Sequence, residues 1–285
     1  MKTLGMAVAG LLLSGPVAQA EEGGASREVT RVRAMRAAVE PMLAKEFGAK
    51  AFVATLHGRG AQTVLGVIEE APPPGTDLQP RLAVLRYDEA RGTVRVVDRA
   101  FKYAEASALG DKTLLLTPEG DLRLREDSGR ERLLAQRVLG DLAPSVKGDG
   151  VVATLSRTGA ESHETAVGFV GVDGRVTVVA DGPGLDAMGT MSPDGRTVVF
   201  VSGRTTMASW FRTTLDGAEP VQLTNVGLKA GALRDGVPAN FVPPPINTGA
   251  MEWLSEDRLR YAAGGGEQWT LDVRTGVAVR EGGAR

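Results

Sequence analysis

The sequence predicts an all-β fold, a β-propeller of about five four-stranded blades with a short N-terminal helix. Short β-branched strands follow one another with glycine-containing turns between them, and a group of four such strands recurs along the chain. The composition agrees, because 42% hydrophobic and 24% charged residues are typical of a globular protein. A chain of 285 residues is long enough to bury a large core.

The clearest blade is "MSPDGRTVVFVSGRTTMASWFRTTLDGAEPVQLTN", from Met191 to Asn225. Its "SPDG" is a turn, in which proline fixes φ and glycine accepts a positive φ. "TVVFVS" is a continuous apolar strand, "WFRTTL" is a third strand, and "DG" is typical of a hairpin turn before "VQLTN". Four short strands joined by turns predict one blade of a propeller.

A blade needs neighbours because both of its faces are apolar, so copies of the pattern are expected. A turn followed by an apolar second strand occurs five times, and a second turn, between the third and fourth strands, follows each copy. An ordinary β-sandwich with regular hairpins is the alternative. The five copies are "GAQTVLGVI" near Gln62, "GDKTLLLT" near Lys112, "GDGVVATL" near Gly150, "DGRTVVFV" near Arg196 and "EDRLRYAA" near Arg258.

"SPDGRTVVFVS" followed by "LDGAEPVQLTN", within residues 188–225, resembles the TolB-type β-propeller repeat. In other copies the first turn is replaced by "LGDK", "KGDG" or "LSED". The resemblance implies blades around a shallow central channel. Relatives include TolB, a periplasmic protein-binding component of the cell envelope, and the propeller domains of prolyl-oligopeptidase-like peptidases. We expect neither the α/β domain of the former nor the hydrolase domain of the latter, so the resemblance implies a bare propeller, most simply of five blades. A degenerate sixth blade within residues 226–248 is the alternative.

Residues 1–20 are predicted to be a secretory signal peptide. Lys2 supplies a positive start, "LGMAVAGLLL" an apolar run too short to span a bilayer comfortably, and "VAQA" a cleavage site that ends at Ala20. An uncleaved anchor or a buried N-terminal strand is the alternative. We therefore expect a periplasmic or secreted protein, with no membrane insertion after signal cleavage. A helical segment would occupy residues 21–49 and the propeller residues 50–285.

The chain contains no cysteine, so it has no disulfide, no cysteine for lipid attachment and no thiolate metal site. A net charge of −2 and only 5% aromatic residues argue against nucleic acid as a partner.

One segment, Ser26 to Gly48, shows helical periodicity. Ser26 is a suitable N-cap, apolar residues recur at spacings of three or four, and Pro41 is expected to kink the helix. The apolar stripe either packs on the propeller or forms a docking element for a partner. Four arginines make the early turns basic: Arg27, Arg31, Arg33 and Arg36.

The connections of a propeller divide between two faces. The turns between the first and second strands and between the third and fourth strands of each blade open on one face, and here they are short. The other connections open on the opposite face, which we call the long-loop face, and elaborated loops more often carry binding residues. Its long connections are Ala71 to Pro80, Ser156 to Thr165, Ser202 to Ser209 and Val226 to Gly249.

Two of these connections contain three consecutive prolines, Pro72 to Pro74 and Pro243 to Pro245. Such runs favour the polyproline II conformation, which stiffens a loop and lowers the entropy lost on binding. Alternatively, they are spacers that cover the channel mouth. Phe241 and Ile246 flank the second run as natural anchors. The predicted binding residues of the long-loop face are Arg204, Phe241, Ile246, Asn247 and His163.

No catalytic motif is present. The two histidines, His57 and His163, are expected in separate loops of different blades, and the sequence contains no G-x-S-x-G, H-E-x-x-H, calcium-loop or P-loop pattern. Glu161, His163 and Glu164 could offer ligands to a metal, but consecutive loop residues rarely converge on one ion. We predict no catalytic, metal or cofactor site. The tryptophans at 210, 253 and 269 are expected to pack between blades rather than to stack on a sugar.

These observations predict a non-enzymatic propeller that binds another cell-envelope protein through its long-loop face. One alternative is a small-molecule or glycan binding protein that uses the channel mouth, with a divalent metal near His163. A second alternative is a propeller enzyme, which would require an acid/base pair that includes His57 or His163.

Overall fold

A computed structural model describes part of the chain. The described residues are 24–57, 62–70, 80–157, 164–205, 208–224, 233–234, 237–238, 242–245, 248 and 251–281.

Helix α1 (Gly24–Phe47) precedes the strands. Within the described residues, the strands form five four-stranded sheets, each built from four consecutive strands, and a two-stranded hairpin separates the fourth and fifth sheets in the sequence. The blades are β1–β4 (Phe52–His57, Gln62–Ile68, Leu82–Asp88, Thr93–Tyr103), β5–β8 (Glu105–Leu109, Lys112–Leu116, Leu122–Arg125, Glu131–Ala135), β9–β12 (Val138–Pro144, Gly150–Ser156, Thr165–Gly171, Val176–Ala180), β13–β16 (Asp186–Met191, Thr197–Ser202, Ser209–Thr214, Val221–Gln222) and β19–β22 (Met251–Trp253, Arg258–Ala262, Gln268–Asp272, Ala278–Arg280), with β17 (Leu233–Arg234) and β18 (Val237–Pro238) between the last two.

The five copies predicted from the sequence are the second strands of the five blades, β2, β6, β10, β14 and β20. The second turn predicted after each copy likewise coincides with the hairpin between the third and fourth strands of each blade. The predicted fold class, a β-propeller with five four-stranded blades and one helix, is confirmed.

The turn before β14 shows why its sequence folds as it does. The Oγ atom of Ser192 accepts a hydrogen bond from Thr197 N over 2.9 Å and donates to Oδ1 of Asp194 over 2.6 Å. The same Asp194 oxygen accepts from Arg196 N over 3.1 Å, and Gly195 has a φ of 74°. Asp194 therefore organises the turn through its side chain, and glycine occupies the left-handed position.

The described residues belong to two compact units, Met1–Pro118 with Arg125–Glu131, and Glu119–Leu124 with Arg132–Arg285, here unit 1 and unit 2. In unit 1, the predicted apolar stripe of α1 packs on the first blade: Met35, Val39 and Leu43 share one buried cluster with Leu65 and Leu85. Its Val29 and Val32 lie outside the side chains that the structure describes.

In unit 2, aromatic residues fill the space between the fourth and fifth blades. Trp210 and Tyr261 are fully buried, with ring centroids 4.9 Å apart, in a cluster that also holds Val199 and Leu271. Trp253 and Trp269 pack against the same cluster. The three tryptophans thus pack in or against the core between these blades, as their strand positions predict.

Polar side chains connect successive blades of unit 2. Trp253 donates from Nε1 to Oγ1 of Thr190 over 3.1 Å, which links the first strands of the fifth and fourth blades. Lys147, in the first turn of the third blade, donates to the carbonyl oxygen of Asp194 in the corresponding turn of the fourth blade over 2.8 Å. Each bond satisfies a polar group at a junction between two sheets.

Candidate binding face

The long-loop face of unit 2 is organised around Asp186, the first residue of β13. Its side chain is completely buried, and Oδ2 accepts hydrogen bonds from Gly182 N and from Nη2 of Arg204, each over 2.7 Å. The main chain of Asp186 is held as well, because Oγ1 of Thr165 donates to its carbonyl oxygen over 2.7 Å and accepts from its N–H over 3.1 Å. Asp186 therefore fixes the linker between the third and fourth blades to two other connections of the face.

Arg204, a predicted binding residue, lies inside this framework. Its Nε donates to Oγ of Ser202 over 2.9 Å, and its guanidinium carbon lies 5.6 Å from the ring centroid of Phe200 and 5.1 Å from that of Phe211. Only 17% of the side chain is exposed. Because its donors are directed inward, the geometry gives Arg204 a supporting position beneath the surface. Direct contact of Arg204 with a partner stays a prediction.

A second arginine extends the framework toward the third blade. Nε of Arg157 lies 2.5 Å from Oδ1 of Asp181, and Nη1 lies 3.3 Å from Oε2 of Glu164. The same Nη1 donates to the carbonyl oxygen of Gly182 over 3.3 Å. Arg157 thus joins the two ends of the Ser156 to Thr165 connection and ties both to the inter-blade linker.

This geometry bears on the metal ligands considered from the sequence. Of Glu161, His163 and Glu164, only Glu164 lies within the described residues, and its carboxylate pairs with Arg157. In the described part of the chain, no group of three or more histidine, cysteine, aspartate or glutamate residues is placed to hold a metal ion.

Two exposed leucines lie beside this polar framework, at the long-loop ends of the first strands of the third and fourth blades. Leu139, the second residue of β9, is 54% exposed, and Leu185, just before β13, is 43% exposed. Sequence reasoning missed both of them. The available signal was local: Leu139 precedes a Gly-Asp pair inside a strand, and Leu185 follows the Gly-Pro-Gly of residues 182–184.

The remaining predicted binding residues, Phe241, Ile246, Asn247 and His163, lie outside the described residues, as does the proline run at 72–74. The second proline run is described. Pro243 and Pro244 are half-buried, Pro245 is buried, and Val242 packs against the core cluster of the fourth and fifth blades. Nearby, Oγ1 of Thr248 donates to the carbonyl oxygen of Leu142 on β9 over 3.4 Å. This part of the connection therefore lies on the sheets of unit 2.

His57, the histidine considered for an acid/base pair, lies at the end of β1 in unit 1. Burial lowers its pKa to about 4, so the imidazole is neutral near pH 7. Among the described residues, no carboxyl group hydrogen bonds to it. An imidazole with so low a pKa is a weak base near neutral pH.

The described helix α1 is not long and apolar enough to cross a membrane.

Comparisons with known proteins were informative only at the level of structure. No protein-family model matches the chain, and no curated protein matches its sequence.

Solved structures share the fold. A structure assigned as TolB from Agrobacterium tumefaciens is 15% identical, with a TM-score of 0.53 over 82% of this chain and 80% of that one. A TolB structure from Acinetobacter baumannii is also 15% identical, with a TM-score of 0.49, and the chain spans 64% of its length. An oligogalacturonate lyase in complex with manganese is 10% identical, with a TM-score of 0.52 over 77% of this chain and 61% of that one. The fold is thus a TolB-like β-propeller, which the structure from Agrobacterium tumefaciens and an enzyme share.

Proposed function

We propose that this chain is a periplasmic or secreted, non-catalytic β-propeller that binds another cell-envelope protein through its long-loop face. The observation that carries the proposal is the pair of exposed leucines, Leu139 and Leu185, on a framework held by the buried ion pair between Arg204 and Asp186. The predicted signal peptide supports the location, and the structural similarity to TolB structures is consistent with a role in the envelope. Fold alone does not determine function, so the surface carries the argument.

The framework favours binding because it is organised in advance. Asp186 and Arg204 fix the inter-blade linker next to Leu185, so little loop entropy remains to be lost when a partner docks. Removing exposed apolar side chains from water lowers the free energy of the complex. A polar surround of the kind formed by Arg157 and Asp181 is typical of the rim of an interface.

The proposal is tested by cross-linking the tagged protein in intact cells of its source organism and identifying the captured proteins by mass spectrometry. Leu139→Asp and Leu185→Asp each place a charge on the proposed surface and should strongly reduce capture of a reproducible envelope protein. Val146→Asp is the matched control, because Val146 is 72% exposed in the short turn between β9 and β10, at the opposite end of the strands.

Capture that Leu139→Asp and Leu185→Asp leave intact, or that Val146→Asp reduces equally, would place the binding surface elsewhere. No reproducible protein from efficiently cross-linked cells would argue against protein binding itself.

A further inference from the structure

One carboxyl group of unit 2 differs from the other buried acids of the described chain. Asp141 lies in β9, and its Oδ2 accepts hydrogen bonds from Oγ1 of Thr154 over 2.6 Å and from Met188 N over 3.2 Å. Asp186 and Asp98 are each paired with an arginine, whereas no cationic side chain of the described residues pairs with Asp141. Burial raises the pKa of Asp141 above its ordinary value, although both hydrogen bonds oppose the shift. The charged form is thus left without compensation.

The backbone around this carboxyl group is strained. Asp141 has a φ of 57° and Met188 a φ of 54°, in the left-handed region that residues other than glycine rarely adopt. Both lie where the pairing register of a first strand shifts, between β9 and β10 and between β13 and β14. The irregularity in each strand brings the Met188 N–H to the Asp141 side chain. Strain of this kind is concentrated at binding and active sites.

The site reaches the protein surface. Gly140, Asp141 and Met188 are partly exposed, and Leu139, next but one to Asp141, is the exposed leucine of the proposed docking surface. Leu139 and Asp141 are two positions apart, so their Cα atoms lie at most about 7 Å from each other. The surroundings combine an apolar contact with one unpaired negative charge.

We infer that Asp141 binds a primary ammonium group, supplied by a lysine side chain or the amino terminus of the protein that docks on the long-loop face. One carboxylate oxygen is already committed to Thr154 and Met188. The oxygen that remains suits a compact ammonium group better than a guanidinium, which prefers both oxygens of a carboxylate. Leu139 would contact the methylene groups that carry the charge. The inference rests on the proposed function for its partner, whereas the site itself can be tested alone.

The test is a titration of the full chain with n-butylammonium chloride at neutral pH, followed through the backbone amide signal of Met188 by NMR. A saturable shift is expected, and 1-butanol, which has the same apolar chain without the charge, should produce none. Asp141→Asn keeps an oxygen acceptor for Thr154 and Met188 but removes the charge. If the variant shows a native spectrum, its affinity for butylammonium should fall by about tenfold or more.

A wild-type protein that does not bind butylammonium, or an Asp141→Asn variant that binds it equally, would overturn the inference. Binding of 1-butanol with equal affinity would show an apolar site and would also overturn it. Cross-linking in cells uses a different readout, so failure of this site is distinguishable from failure of the docking function.

Discussion

Arg204 and Asp186 form an ion pair in which Nη2 donates to Oδ2 over 2.7 Å, and the aspartate has no solvent-accessible surface. Arg204 lies in the loop after β14, and Asp186 begins β13 of the same blade. Gly182 of the preceding linker bonds to the same oxygen. One pair thus holds together three segments of the long-loop face, and each partner compensates a charge that would be costly to bury alone.

Arg204→Met should therefore lower the free energy of unfolding by about 3–5 kcal/mol, because it leaves the Asp186 carboxylate buried and unpaired. Arg196→Met is the control: Arg196 lies near Asp194 on the surface of the same blade, with 85% of its side chain exposed, and should cost at most about 1 kcal/mol. Urea unfolding at pH 7 measures both. Equal losses would show that burial does not distinguish the two pairs.

In unit 1, the carboxyl group of Asp98 is the centre of a different network. Oδ2 accepts from the Tyr103 hydroxyl and from Nη2 of Arg125, each over 2.8 Å, and Oδ1 accepts from Ala100 N over 2.9 Å. Burial would raise the pKa of Asp98, but hydrogen bonds from Ala100, Arg125, Tyr103 and Lys102 outweigh it and hold the pKa well below the ordinary value. The charged form is thus favoured in the folded state.

Asp98→Asn should lower the free energy of unfolding at pH 7 by about 2 kcal/mol, the contribution of hydrogen bonds to a charged group. A depressed folded-state pKa stabilises the protein above the unfolded-state pKa of about 4, and this contribution is lost as the pH falls further toward the folded-state value. The difference between variant and wild type should therefore shrink below about pH 4. Denaturant unfolding of both proteins from pH 7 to below about pH 4 tests this prediction. A difference in the free energy of unfolding that does not change with pH would contradict it.

The sequence was sufficient to predict the propeller because turn and strand signals are local. The "SPDG" turn works through the side chain of Asp194 and the left-handed φ of Gly195, both of which follow from residue type. Repetition of that unit then located the second strand of every blade.

The candidate site could not be predicted in the same way. Asp186 and its partner Arg204 lie 18 positions apart in the sequence. Met188 donates to Asp141 across 47 positions, where both strands have irregularities that carry no recognisable motif. Exposure of Leu139 likewise depends on which residues pack around it. Sequence reasoning selected the long connections as a class, whereas the proposed binding surface lies where those connections meet the first strands of the blades.

Asp141→Asn should show a pH dependence opposite to that of Asp98→Asn. Burial raises the folded-state pKa of Asp141. The contribution of Asp141 to the free energy of unfolding is therefore fully present below the unfolded-state pKa of about 4. It is lost as the pH rises from that value through the raised folded-state pKa. The variant should match the wild type near pH 3 and be more stable at pH 7. The same unfolding series measures it. A loss of stability at pH 7 would show that the charged form is favoured in the folded state.

The turns of the last two blades provide a matched pair of glycines. Gly217 and Gly276 lie between the third and fourth strands of successive blades, with φ of 77° and 74°. An added Cβ would meet nothing within 4 Å at Gly217, whereas at Gly276 it would lie 1.9 Å from the carbonyl oxygen of Leu223 in the preceding blade. Only Gly276 is therefore required by both the turn conformation and the approach of a neighbouring backbone.

Gly217→Ala should lower the free energy of unfolding by about 1 kcal/mol, the cost of a left-handed conformation for alanine. Gly276→Ala should cost about 1–3 kcal/mol more, because the backbone of Leu223 cannot move aside as a flexible side chain would. Thermal and urea unfolding of the two variants under identical conditions give the difference directly. Equal losses would mean that the turn of the fifth blade does not press against the backbone of Leu223 in the fourth.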